Sequence, residues 1–391
     1  MKKVSIICFT DYTKEPRVLR TINALKDEYQ LSIFSTSKQI NGIHKAVEVI
    51  NLNKDFYFQT NGNVLFRKLK TVFVKYVLGY KVGSDKYFNR QYWSTERHQL
   101  LKLLQNENAD VYIGHGIYTL PLLAKLSRQA KVVFNAHEYY PCEFEENLHW
   151  VKFFKPYYMW ILNKYYSSIN LTFAVTSSIG KRLSNEFKIK YIEINNASEF
   201  KNLQPARCDD LIKIIHHGAA LKGRKIEEMC NLMTLLPENY ELNLMLVKSD
   251  EEYFNKLLLK YKSQKNIKFL NPVSFSEIPN FINQFDIGLY ILKPNNFNEE
   301  HCLPNKFFEF IQARLCLAIS PNTDMKEIVE KYNLGVVSSD FSSLSMKDSF
   351  LSLSIEKIQS FKETVHKNAE LLCAENNYKI IKNSINELLK N

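Results

Sequence analysis

No stretch of the chain approaches the apolar length needed to cross a bilayer, so an integral membrane protein is not expected. The seven cysteines (Cys8, Cys142, Cys208, Cys230, Cys302, Cys316 and Cys373) lack any metal-ligand spacing. An odd, scattered set of this kind points to free buried thiols in a reducing cytosol rather than to a disulfide framework. Low-complexity tracts, short-period repeats and recognisable nucleic-acid motifs are also missing. "MKKVSIICFTDY" opens like a signal peptide, but its apolar run is short and Asp11 ends it, so a first β-strand is expected there. The acidic pair in "CDD" (Cys208 to Asp210) falls in a polar connecting segment and is discounted as a metal site.

What the chain has in excess is positive charge. Its 52 Lys+Arg against 41 Asp+Glu leave +11, which calls for an anionic partner. Seven basic residues and one acid, Asp85, are interleaved with rings and aliphatics from Phe66 to Trp93. Such a segment suits an interfacial helix on anionic lipid, with "FFKPYYMWILNKYY" (Phe153 to Tyr166) extending the surface. Core helices with solvated basic faces would give the same composition.

At 391 residues the chain exceeds what one core usually supports, and two domains are expected. Strand-like and helical runs alternate, the pattern of an α/β protein with parallel sheets. Strands are read at "KVSIICF", "QLSIFS", "DVYIGH", "KVVFNA", "LTFAVT" and "YIEIN", then at "LIKIIHH", "LNLMLV", "IKFL", "DIGLYIL", "LCLAIS" and "LGVVS". Helices are expected from about Glu15 and from Ser177, and through most of the chain beyond Asp348. "NNASEFKNLQPARCDD" breaks the rhythm. The division is a first domain at 1–196, a linker at 197–210 and a second domain at 211–391, with ligands expected in a cleft at the carboxyl ends of the strands.

"LPNKFFEFIQARLCLAIS" (Leu303 to Ser320) raises the question of a site. A helix opened by Pro304 puts Asn305 and Glu309 one turn apart on one face, while Phe307, Phe308 and Ile311 cover the core. Glu309 is either an ordinary salt-bridged or solvated glutamate, or part of a ligand site in which a helix N-terminus meets an anion and the carboxylate accepts ribose hydroxyls.

Several segments together resemble the retaining glycosyltransferases of the GT-B fold, which use nucleotide-sugar donors. In the first half these are "EPRVLRTINAL", Gly114-His115-Gly116, Asn135-Ala136-His137-Glu138, "FAVTSSIGKRL" and "NNAS". In the second half they are "HHGAALKGRKIEEM" (His216 to Met229) and "LPNKFFEF". The resemblance implies two Rossmann-like parallel-sheet domains facing across a cleft, with the acceptor on the first and the donor on the second. It implies that Gly218 permits close backbone approach and that Arg224 contacts the donor pyrophosphate. It places the phosphates at Pro304, Asn305 and Lys306 and the ribose at Glu309. Lys306 either adds positive charge or pairs with a surface acid.

The chain departs from the family pattern at three places. His301, preceded by Glu299 and Glu300, stands where many members carry a sugar-contacting glutamate. Met229 and Cys230 stand where a second basic phosphate ligand usually follows the arginine, with Lys222, Lys225, Lys248 or Lys306 as substitutes. The first strand ends in Thr10-Asp11 in place of the common glycine pair.

His137 is the choice for the sugar or acceptor end, with His115 and Glu138 beside it; a structural histidine at a strand end is the alternative. Positive charge and amide dipoles stabilise a departing nucleotide diphosphate, which does not demand a metal or other cofactor. The expected activity is hexosyl transfer, with retention, to a glycan or lipid-linked acceptor in bacterial capsule, O-antigen or lipooligosaccharide assembly. The expected location is the cytoplasm or the inner face of its membrane. The rivals are a nucleotide-sugar epimerase of the same fold and a non-catalytic partner of another transferase.

Overall fold

Strands rich in Val, Ile and Leu without polar alternation bury both faces, and that requires helices on each side of a parallel sheet. The computed structural model, which describes residues 1–37, 47–52 and 81–390, has two such sheets. Its described residues fall into two compact units, each with its own core: Met1–Ile194 joined by residues 378–390, and Asn195–Asn377.

The first unit carries a seven-stranded sheet in the order β3-β2-β1-β4-β5-β6-β7, every pairing parallel. Its strands are β1 (Lys3–Cys8), β2 (Gln30–Ser35), β3 (Val47–Asn51), β4 (Val111–His115), β5 (Lys131–Ala136), β6 (Leu171–Ala174) and β7 (Tyr191–Glu193). β3 was not among the strands read from sequence. The order reverses between β1 and β4, where Cys8 pairs with His115 at the carboxyl edge. The helix Pro16–Leu25 follows β1 with its proline in the first turn and Glu15 as its cap residue.

The second unit holds six strands in the order β10-β9-β8-β11-β12-β13, again all parallel. These are β8 (Ile212–Ala219), β9 (Tyr240–Val247), β10 (Ile267–Leu270), β11 (Ile287–Tyr290), β12 (Cys316–Ile319) and β13 (Gly335–Val337). All six match stretches read as strands. The reversal lies between β8 and β11, so ligand chemistry is expected at the carboxyl end of β8.

Two boundaries differ from expectation. The linker belongs to the second unit: Phe200 N donates to Glu375, Lys201 N to Gln312 and Cys208 N to Gln359. The last helix, Ala374–Lys390, starts in the second unit and ends in the first, where Ile381 and Ile385 are fully buried among the β1–β2 core residues. The apolar face of the helix decides that membership; its position in the sequence does not.

Of the basic aromatic segment, residues 66–80 lie outside the described residues. The remainder forms the helix Asp85–Tyr92, whose Phe88 and Tyr92 are buried, with Trp93 buried just beyond it. Phe88 packs on Tyr157 and Trp160, and Asp85 accepts from Trp160 Nε1 and Lys164 Nζ, so this part is a core helix. No described helix is long and apolar enough to cross a membrane. All seven cysteines are free thiols, six of them buried.

Candidate functional site

The helix Asn305–Gln312 is fixed by its aromatic face. Phe307, Phe308, Phe310 and Ile311 are essentially inaccessible, and Gly288 of β11 leaves the room that Phe310 fills; a Cβ there would lie 2.4 Å from the ring. Pro304 precedes the helix in extended conformation and, as its cap residue, gives the start no side-chain hydrogen bond. The helix start therefore keeps its capacity for an anion. One turn in, Glu309 is only 3% exposed, which excludes the solvated-glutamate reading. Its Oε2 lies 3.3 Å from His217 Nε2, without hydrogen-bond geometry at that nitrogen. Burial pushes His217 down to about 3, with Lys306 adding to the effect, so the ring is neutral and the pair is not an ion pair.

β8 delivers His216, His217 and Gly218 to this helix. Gly218 has φ +132°, and a Cβ there would stand 2.9 Å from Lys306 Nζ. Only glycine fits both the backbone and the neighbour. A short turn, Lys222–Arg224, then swings Arg224 back so that Nη1 reaches Tyr290 Oη at 3.4 Å. Lys306 Nζ stands 4.9 Å from the centre of the Tyr290 ring and 3.3 Å from His216 Nε2. Arg224, Tyr290, Lys306, His216 and Gly218 thus form one contiguous set beside the helix start.

Lys306 is pushed from its ordinary 10.5 down to about 7, chiefly by burial and next by Arg224, against the opposing pull of Glu309 and Cys302. Two cations are held together, and among the described residues no ion pair joins either to a carboxylate, an arrangement that an incoming anion would relieve. Burial likewise pushes the Cys302 thiol up to about 12, so it stays protonated and is no nucleophile.

The other expected residues are placed less centrally. Lys225, in left-handed conformation, turns its Nζ to Lys293 O and Asn295 Oδ1. Lys248 lies exposed over the Phe254 ring, and no contact joins it to the set. Met229 and Cys230 are core residues at zero exposure, whereas Lys306 stands beside His216 and the Tyr290 ring. His301 Nδ1 pairs with Asp324 Oδ2 at 2.8 Å. Glu299 accepts from Asn295, and Glu300 accepts from Thr323. Tyr290 was not singled out from sequence, and neither was a separate role for each of the tandem histidines; "HH" directly before a loop glycine was the available signal for the latter.

In the first unit, His115 ends β4 and His137 directly follows the adjacent strand β5. Their Nδ1 and Nε2 meet at 3.2 Å. Burial, reinforced by Arg17, pushes His115 down to about 3 and also pushes His137 well down, so both rings are neutral. Glu138 is raised by burial against the pull of Arg17, and Glu143 is pushed up to about 8 by burial and by Glu138. These groups form a polar cluster at the carboxyl edge of the first sheet, with Tyr140 Oη accepting from His137 N.

No family model and no curated protein matches the chain. Solved structures do. Sucrose-phosphate synthase from Thermosynechococcus elongatus aligns with a TM-score of 0.70 at 10% identity, covering 100% of this chain and 98% of its own. Anabaena HepE in complex with UDP and glucose gives 0.68 at 11%, with coverage of 99% and 100%. WaaG, a glycosyltransferase involved in lipopolysaccharide biosynthesis, gives 0.63 at 12%, with 97% and 99%. These neighbours are GT-B glycosyltransferases, and this chain has the GT-B fold.

Proposed function

We propose that the protein is a glycosyltransferase that takes a sugar from a nucleotide-sugar donor bound in the second unit. The carrying observation is the buried Glu309 one turn behind a helix start to which Pro304 gives no side-chain hydrogen bond, beside the Arg224–Tyr290–Lys306 set. The amides at Asn305 and Lys306 and the two cations suit a diphosphate, whose negative charge grows as the sugar–phosphate bond breaks. Glu309 has only lone pairs to offer when ionised, which suits a diol such as ribose. Positive charge and amide dipoles supply the stabilisation, with no step assigned to a metal. Solved neighbours that carry UDP or a UDP-sugar support the donor class.

The finer reading is transfer with retention, in which the donor phosphate assists deprotonation of the acceptor. The acceptor is a glycan or lipid-linked glycan of bacterial surface polysaccharide, met at the inner membrane face. The likeness to a lipopolysaccharide enzyme and the basic, aromatic composition of residues 66–80 support it. The His115–His137–Glu138 cluster is proposed for the sugar or acceptor, and His301 for the sugar end of the donor.

The test is a thermal-shift series with UDP, GDP, ADP, CMP and their common sugars on the wild type, Glu309→Ala and Arg224→Ala. A ligand that binds only the folded state must stabilise it. One nucleotide is expected to raise the melting temperature of the wild type and of neither variant. Binding without transfer or donor hydrolysis would instead favour a non-catalytic partner.

A further inference from the structure

We propose that His216 is the positioning residue for Lys306: its Nε2 takes the ammonium and holds it over Gly218, fixing where the second cation of the donor site stands. The inference rests on the reading of that site as a diphosphate site.

The direction of this hydrogen bond is fixed by chemistry. His216 Nδ1 lies 2.9 Å from Leu289 O, and a carbonyl only accepts, so Nδ1 carries the hydrogen. Burial keeps the ring neutral, with Lys306 adding to the effect, which leaves Nε2 as a bare acceptor. Lys306 Nζ, which only donates while protonated, faces it at 3.3 Å. The ring cannot turn, because Leu289 O belongs to β11, bonded to β8 through Ile287 and Gly288. The Tyr290 ring lies parallel to it within 6°, with centroids 6.1 Å apart.

The other groups around the ammonium are the Tyr290 ring of β11 at 4.9 Å, His217 of β8, Arg224 from the turn after β8, Cys302 from the loop before Pro304, and Glu309 on its own helix. Of these only Glu309 is a carboxylate, and it lies beside His217. A lysine stem has many rotamers, and holding its head at one point needs a specific acceptor. His216 is that acceptor, and its partner on β11 keeps it aimed.

The experiment is titration of UDP, GDP and ADP, at pH 7, into wild type, His216→Leu, His216→Gln, Lys306→Ala and the His216→Leu/Lys306→Ala double variant. For the nucleotide that binds, His216→Leu should weaken affinity about tenfold, as expected for loss of a hydrogen bond to a charged group. His216→Gln, which restores an acceptor oxygen, should recover most of it. In the Lys306→Ala background, His216→Leu should change affinity less than about twofold, because the two act as one unit. The affinity of the wild type should also fall as pH rises above 7, a limb that Lys306→Ala abolishes. An equal loss from His216→Leu in both backgrounds would overturn the proposal in favour of a scaffold role. Unchanged binding by His216→Leu would overturn it as well. Binding of none of the three nucleotides by the wild type would overturn the reading of the site, and the positioning role with it.

Discussion

Lys306→Met should make the empty protein more stable while weakening its response to nucleotide. The lysine is half-buried beside Arg224, and its ammonium loses protons near 7 where an unfolded chain would hold them to 10.5. A folded-state value below the unfolded one means that protonation opposes folding. The cost grows as pH falls from about 10.5 to about 7 and is constant below that. At pH 7 the full shift would correspond to about 4 kcal/mol. Solvent still reaches a half-buried ammonium, so roughly half of that, about 2 kcal/mol, is the expected gain. For a unit of this size, this is a rise of about 4–8 °C in melting temperature. Differential scanning calorimetry of the full chain at pH 7 and pH 9, with and without nucleotide, reads it. The gain should shrink at pH 9, and at pH 7 the nucleotide-induced rise should be smaller than that of the wild type. A variant that melts lower than wild type, or one that keeps the full nucleotide shift, would refute the reasoning.

Two further outcomes follow from packing. Gly218→Ala forces a Cβ to 2.9 Å from Lys306 Nζ and 3.3 Å from its Cε at φ +132°. It should cost about 1–3 kcal/mol in urea unfolding and weaken nucleotide binding about tenfold by displacing the ammonium. Ending the chain after Asn377 strips Ile381 and Ile385 from the first core, together with the Tyr29–Asn386 hydrogen bond and the Lys382–Glu28 pair. Each buried isoleucine is worth about 2–5 kcal/mol. Hydrogen exchange at β1 and β2 should therefore accelerate by orders of magnitude while β8 and β9 stay protected.

The parallel strands were legible because burial on both faces leaves an unbroken apolar signature, as in "LNLMLV" and "LCLAIS". β3, the edge strand "VEVIN" with Glu48 inside it, was not read, although "YIEIN" at the opposite edge carries the same features and was. Glu309 was legible as a question, since one carboxylate among Phe307, Phe308 and Phe310 has to be explained by something. Its burial answered half of that question. What the sequence could not show was which side chains converge on Lys306. His216 lies 90 residues away along the chain, and Tyr290 is an ordinary strand-end aromatic until β11 is seen to run beside β8. The last helix misled for a related reason: an amphipathic face announces that it will be buried and does not say in which core.

That last helix also affects the order in which the protein can be made. The first unit lacks part of its core until Ile381 and Ile385 emerge from the ribosome, after the whole of 195–377 has been synthesised. At about 5–20 residues per second this is a wait on the order of ten to forty seconds. During that interval the first sheet has to survive with an open apolar face, while the second unit, continuous in sequence, is free to fold first. Nascent first units therefore carry the greater demand for chaperone protection, and a ribosome stalled before Tyr378 would release a chain whose second unit is finished and whose first is not.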